Sequence, residues 1–286
     1  MKRSTLLHLR FPFSFFLLPV FLFSSAVVYN PDWGNFWLVF FILHFLIYPA
    51  SNGYNSFFDN DKKSIGGLKN PPAPEIELYW VSLMMDSIAL LLALVISSQF
   101  TLMCLLYGIA SKAYSHPRVR LKKYPLLGLG TVAFFQGYFT FLTVYVGIAV
   151  DGWATVLAPD IQLPAILSSL LLFGSYPMTQ VYQHEEDGAR NDNTISRKLG
   201  VLGTFHFTGI MFTVAVAGFV FYFVNYDAPW GAYLFLISLA PVLIYFTNWY
   251  LKVRRDLEAA DYSRTMGLNL ISSTLLNLFF LVWWIS

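Results

Sequence analysis

The chain has 286 residues, 57% of them hydrophobic and only 12% charged, with a mean hydropathy of +0.57 and a net charge of +2. A soluble domain carries roughly 25% charged residues, so this composition excludes one and marks an integral membrane protein. The basic residues are spread over short loops rather than gathered in one patch, which argues against a nucleic-acid partner, and the lone Cys104 excludes an internal disulfide or a cysteine metal cluster.

Apolar stretches follow one another at 11–29, 33–51, 78–97, 99–114, 125–150, 163–182, 201–226, 230–251 and 266–285. Each is near the length of about 20 residues that crosses roughly 30 Å of hydrocarbon. The first follows Lys2, Arg3 and Arg10; it is longer than the roughly 7–15-residue core of a signal peptide and reads as a retained helix. Only Ser97, Ser98 and Gln99 separate the third from the fourth, which requires a tight helical hairpin. No run of alternating ten-residue segments suggests a barrel. The expected fold is all-α, a polytopic bundle of about nine transmembrane helices forming one domain over 1–286.

The eighteen Lys and Arg fall in five groups: Lys2 to Arg10, Lys62 to Lys69, Lys112 to Lys123, Arg190 to Lys198, and Lys252 to Arg264. The intervening turns near 30–32, 97–99, 151–160 and 225–228 contain none. Positive charge stays on the cytoplasmic side, so the N-terminus is expected inside and Ser286 outside, in a membrane that fits a bacterial inner membrane. Inside the spans, Asp86 is the most costly polar residue, and an interhelical hydrogen bond from a protonated or paired carboxyl is its simplest explanation.

Two of the basic loops are also rich in Asp, Glu and Asn. The first reads NGYNSFFDNDKKSIGGLKNPP from Asn52. Asn55 and Asp59 share a face if the second helix continues past Ser51, and Asp61 follows. Mg²⁺ takes hard oxygen ligands from one or two carboxylates plus substrate phosphate, and Lys62, Lys63 and Lys69 stand where a diphosphate would need them. The second loop reads YQHEEDGARNDNTISRKLG from Tyr182, with carboxylates at Glu185, Glu186, Asp187 and Asp192 and bases at Arg190, Arg197 and Lys198. A third, YSHPRVRLKKYP from Tyr114, offers Arg118, Arg120, Lys122 and Lys123. Taken singly, each loop is also explained as a solvated turn or a topology determinant. Together, on one side of the membrane, they can hold Mg²⁺ against one anionic ligand.

These three segments, in this order among the spans, resemble the UbiA superfamily of intramembrane prenyltransferases. That family has nine transmembrane helices around a central cavity and two Asp-rich motifs, roughly NDxxDxxxD after the second helix and DxxxD after the sixth. Asn55 and Asp59 match the first, Asp187 matches the last Asp of the second, and Thr194, Leu199 and Gly200 fit its T-L-x-V-x-L-G ending. The YSHPRVRLKKYP stretch is similar to the family's Y-S-x-P-P-x-R/K-L-K segment. Departures are Ser56 beside Asn55, Lys63 at the last position of the first motif, and Gln183 at the first of the second.

The resemblance implies Mg²⁺-dependent transfer of an isoprenyl group from an isoprenyl diphosphate to a lipophilic acceptor, among membrane lipids. Asn55, Asp59 and Asp187 would be catalytic. Asp59, Asp61, Glu185, Glu186 and Asp187 would serve the metal, with Asp61 and a Glu replacing missing carboxylates. Lys63, Tyr114, Arg120, Lys122 and Lys198 would bind substrate. A terpene cyclase on the same scaffold, and a transporter or other non-catalytic membrane protein, are the alternatives.

Overall fold

The computed structural model describes residues 1–226 and 229–286. The described chain is helical throughout, without strands. Seven helices are long and apolar enough to cross a membrane: Trp33–Asp59, Ile76–Ile96, Pro125–Ile148, Pro159–Gln180, Ile195–Tyr226, Pro229–Val253 and Tyr262–Ile285. An eighth span exists if the bent pair Arg3–Phe16 and Leu18–Val27 is counted as one. The stretch expected at 99–114 is the helix Ser98–Ser115, which falls short of the same measure because Gln99 and Lys112 reduce its apolarity. The count of nine is thus approximate. The turn expected at 225–228 lies partly outside the described residues.

The first span is not the continuous helix its hydropathy suggests. Helix Arg3–Leu9 stops at Arg10, which takes the left-handed conformation with φ 48°, and a 3₁₀ segment Phe11–Phe16 leads into Leu18–Val27 at a 44° bend. The second span, by contrast, runs well past Ser51. Its 27 residues rise about 40 Å, beyond the hydrocarbon thickness, so Asn55 and Asp59 stand on its projecting end. Asp32 caps its start by accepting from Asn35 N at 2.8 Å, and Asn60, left-handed at φ 48°, ends it. The hairpin closes on Ser97, whose hydroxyl accepts from Phe100 N at 3.0 Å.

Helix contacts rest on aromatic packing and on small residues. Phe23 stacks on Phe280 at 4.7 Å and Phe219 on Phe235 at 4.7 Å. At Gly137 the helix backbone passes so near Ser169 that an added Cβ would lie 2.6 Å from its Cα. Such close approach is how small residues join helices in lipid. Asp86 and Lys112 form an ion pair between Ile76–Ile96 and Ser98–Ser115. Lys112 therefore belongs to a helix rather than to a basic loop.

The basic loops share one end of the bundle. Lys2 pairs with Glu75, Arg10 donates to Gly66 O at 2.9 Å, and Glu186 accepts from the backbone of Lys62 and Lys63 at 2.9 and 2.8 Å. Asn193 N donates to Lys123 O at 3.2 Å, and Met266 Sδ accepts from Gly67 N at 3.3 Å. At the other end Asp32 N donates to Ile148 O at 2.8 Å, near Asp151.

Candidate active site

Beneath the basic end lies a cavity of about 300 Å³. Its mouth is lined by Arg10, Asn55, Asp59, Asp61, Lys122, Gln183, Asp187, Arg190 and Thr194. Deeper it meets mid-helix residues, including Gln136, Phe135, Leu171, Phe212 and Leu276. One end is therefore polar and charged, and the other extends towards the level of the membrane interior.

Lys122 drops from the short 3₁₀ turn Leu121–Lys123 onto Asp59 and donates to both of its carboxylate oxygens. The same Nζ lies 3.3 Å from Asn55 Oδ1, which also accepts from Ser115 Oγ at 2.6 Å. Arg120, left-handed at φ 47°, reaches Asp192 with Nε at 2.7 Å and Nη2 at 2.8 Å, and Asp59 with Nη2 at 3.3 Å. Arg190 pairs with Asp61, donates to Asp187 at 2.9 Å and to Asp192 at 3.4 Å. Thr194 Oγ1 completes Asp187 at 3.1 Å. Both acidic loops are thus tied into one network.

Burial sets the electrostatics. It pushes the Asp187 carboxyl up to about 6, against the pull of Arg190 and Lys122. Asp61 also rises, first from burial and then from the charge of Asp59. Burial acts the same way on Asp192, but the bonds from Arg120 and the charges of Lys122 and Arg190 outweigh it and hold that carboxyl below its usual range. Arg190 is buried against its own charge, yet Asp59, Asp61 and Asp187 keep it firmly protonated.

Of the residues singled out by sequence, Asn55, Asp59, Asp61, Asp187, Tyr114 and Lys122 line this cavity. Tyr114 places its hydroxyl against that of Tyr176, with Lys122 Nζ 5.9 Å from its ring centroid. Arg120 stands just behind Asp59. Lys63 and Glu185 do not join them: they pair with each other on the surface, with side chains 60% and 82% exposed. Glu186 is spent on the Lys62 and Lys63 backbone, and Lys198 is exposed. The reason is local. Glu185 and Asp187 lie two residues apart on the short helix His184–Ala189, so they face nearly opposite directions.

Two cavity residues escape a reading of the sequence. Arg190 passes there as an ordinary loop base. Arg10 passes as a topology determinant, yet it is buried and lines the cavity. It donates to Gly66 O and Asn52 O, its Nε has no hydrogen-bond partner, and among the described residues it has no carboxylate partner.

The model of the UbiA prenyltransferase family matches residues 16–272. No curated protein matches the chain. Among solved structures, a UbiA homologue from Archaeoglobus fulgidus bound to DMAPP and Mg²⁺ superposes with a TM-score of 0.69 at 17% identity, covering 98% of each chain. An apo UbiA homologue from Aeropyrum pernix K1 superposes with a TM-score of 0.68 at 17% identity, covering 99% of each chain. A digeranylgeranylglyceryl phosphate synthase gives 0.63 at 18% identity, covering 99% of this chain and 98% of its own. At these identities the likeness is one of fold.

Proposed function

The chain belongs to the UbiA prenyltransferase family, and from that premise we propose that it transfers an isoprenyl group from an isoprenyl diphosphate to a lipophilic acceptor within the membrane, with Mg²⁺ as cofactor. The observation that carries this reading is the two-ended cavity. Carboxylates and cations from three loops meet at its mouth, and apolar side chains line its depth. That shape suits a ligand with an anionic head and a hydrocarbon tail, whose burial gains about 0.8 kcal/mol per CH₂.

The donor set supports Mg²⁺. Asp59, Asp61 and Asp187 present hard oxygens to one cavity, of the type that binds Mg²⁺ through one or two carboxylates while substrate phosphates fill the remaining positions. Among the described residues no three His, Cys, Asp or Glu side chains form a ready metal cluster, and Mg²⁺ held by one or two carboxylates takes water and substrate phosphate as its other ligands. Charge points the same way. Asp59, Asp61, Asp187 and Asp192 are balanced by Arg10, Arg120, Lys122 and Arg190, which leaves the mouth near neutral before an anionic donor arrives. Bound Mg²⁺ supplies neutralisation of the negative charge that develops on the departing diphosphate.

The protein's own groups do the rest. Lys122 and Arg10 hold the diphosphate end by charge-assisted hydrogen bonds. Asn55 and Ser115 orient Lys122 and Asp59. Tyr107, Tyr114, Phe135 and Tyr176 wall the cavity beyond them, excluding water from an allylic cation and offering ring faces worth about 0.5–2 kcal/mol each. The basic end faces the cytoplasm. The test is to incubate purified protein with labelled isoprenyl diphosphates, with and without a panel of lipophilic acceptors. A prenylated, lipid-soluble product that requires acceptor is expected; a hydrocarbon formed from donor alone would make the protein a cyclase.

A further inference from the structure

Arg190, like Arg120, touches carboxylates of both acidic loops, and among the described residues it is the base that bridges Asp61 and Asp187. It holds Asp61 of the first, and Asp187 at 2.9 Å and Asp192 at 3.4 Å of the second. Asp187 is fully engaged, one oxygen by Arg190 and the other by Thr194 at 3.1 Å. A cation bridging Asp61 and Asp187 stands where a divalent ion shared by the two loops would have to bind. Arg190 holds one oxygen of each, and its charge opposes a divalent ion drawn to the same pair, so a metal that binds between them competes with Arg190 for the site.

The displaced guanidinium cannot simply enter water. Its side chain is only 19% exposed and lines the cavity. A buried charge stripped of its partners is strongly unfavourable, and the fork geometry of arginine suits phosphate oxygens as well as carboxylates. An incoming diphosphate provides that second partner at the same cavity mouth.

Building on the prenyl-diphosphate reading, we infer that Arg190 is a resident counter-ion: it competes with divalent metal for Asp61 and Asp187 and passes to the diphosphate when metal and donor bind. Metal alone then binds the empty protein weakly. Diphosphate, by taking Arg190, frees the carboxylates and strengthens metal binding. Metal and donor load together, and neither is held tightly alone.

The experiment measures Mn²⁺ binding by electron paramagnetic resonance, and inorganic pyrophosphate binding by calorimetry, on the full chain in detergent. Parent protein should show mutual strengthening of the two ligands, within the range of about 5–150-fold typical of coupled sites. Arg190→Gln should bind Mn²⁺ alone about 10-fold more tightly and pyrophosphate more weakly, with the coupling diminished. Opposite signs are the signature, since a merely structural role would weaken both. Arg190→Lys keeps the charge but reaches one carboxylate at a time, so it should shift both affinities in the same directions by less; it carries the test if Arg190→Gln does not fold. Mn²⁺ affinity unchanged or weakened in the folded variants overturns the inference. Failure of the prenyltransferase reading would appear separately, as absence of donor turnover in parent protein whose Mn²⁺ competition with Arg190 is intact.

Discussion

Lys122 sits on both carboxylate oxygens of Asp59, although the two residues are 63 positions apart in sequence. Their side chains are 7% and 4% exposed. Breaking a buried pair by removing one partner costs about 3–5 kcal/mol, because a charge is left uncompensated. Lys122→Ala should therefore lower the thermal midpoint in detergent and abolish donor turnover. Adding Asp59→Asn should recover most of the stability but none of the turnover. Recovery of both would reduce the pair to scaffolding.

The close passage at Gly137 predicts a contrast between two glycines of one span. Gly137→Ala places a methyl 2.6 Å from Ser169 Cα, whereas nothing lies within 4 Å of a Cβ at Gly130. The first substitution should destabilise the fold; the second should leave it unchanged or gain up to about 1 kcal/mol of helix propensity. Thermal unfolding of the two variants beside the parent checks the order.

Asp187 predicts a pH dependence of stability. Its carboxyl lies at about 6 in the native protein against an ordinary value of 3.8. Between those values the native state holds a proton that the unfolded chain has lost. The stabilisation is thus complete below the unfolded value and is lost as pH rises through about 6. The raised Asp61 carboxyl acts in the same direction. In the absence of metal and donor, the parent should lose thermal stability from about pH 4 to 6, and Asp187→Asn should flatten that slope. Parallel profiles would show that Asp187 does not carry the proton.

Orientation is open to reporter fusions. Lys2, Arg10, Lys62, Lys122 and Arg190 belong to one end through the contacts of their loops. Reporters near Lys62, Lys122, Arg190 and Arg254 should be cytoplasmic, and one after Ser286 external. A cytoplasmic Ser286 would remove one crossing, with Ser98–Ser115 and the bent first span the places to look.

Much of this arrangement is legible in the residues because charge is costly in an apolar chain. Asn55, Asp59 and Asp187 stand out for that reason, and helix periodicity puts the first two on one face. Three features are hidden for physical reasons. The break at Arg10 lies at the edge of a continuous apolar run and depends on a left-handed backbone that no Gly or Pro at that position announces. Arg10 and Arg190 carry charges that topology alone explains, so burial is what separates them from Lys198. The four carboxylates at 185, 186, 187 and 192 look interchangeable as a string, yet the turn of a short helix sends Asp187 inward and Glu185 to the surface. Asp86 finds its partner Lys112 only once the Ser97 hairpin sets two helices side by side.

The most direct test of the account is diphosphate release from an isoprenyl diphosphate by purified protein, with Mg²⁺ and with chelator, for the parent, Asp59→Asn, Asp187→Asn, Asp61→Asn and Lys63→Ala. The cavity geometry predicts Mg²⁺-dependent release by the parent, none by Asp59→Asn or Asp187→Asn, a raised Mg²⁺ requirement for Asp61→Asn, and little change for Lys63→Ala, whose side chain lies on the surface with Glu185. Equal release by all five, or release that ignores chelator, would contradict a shared diphosphate site at the mouth of this cavity.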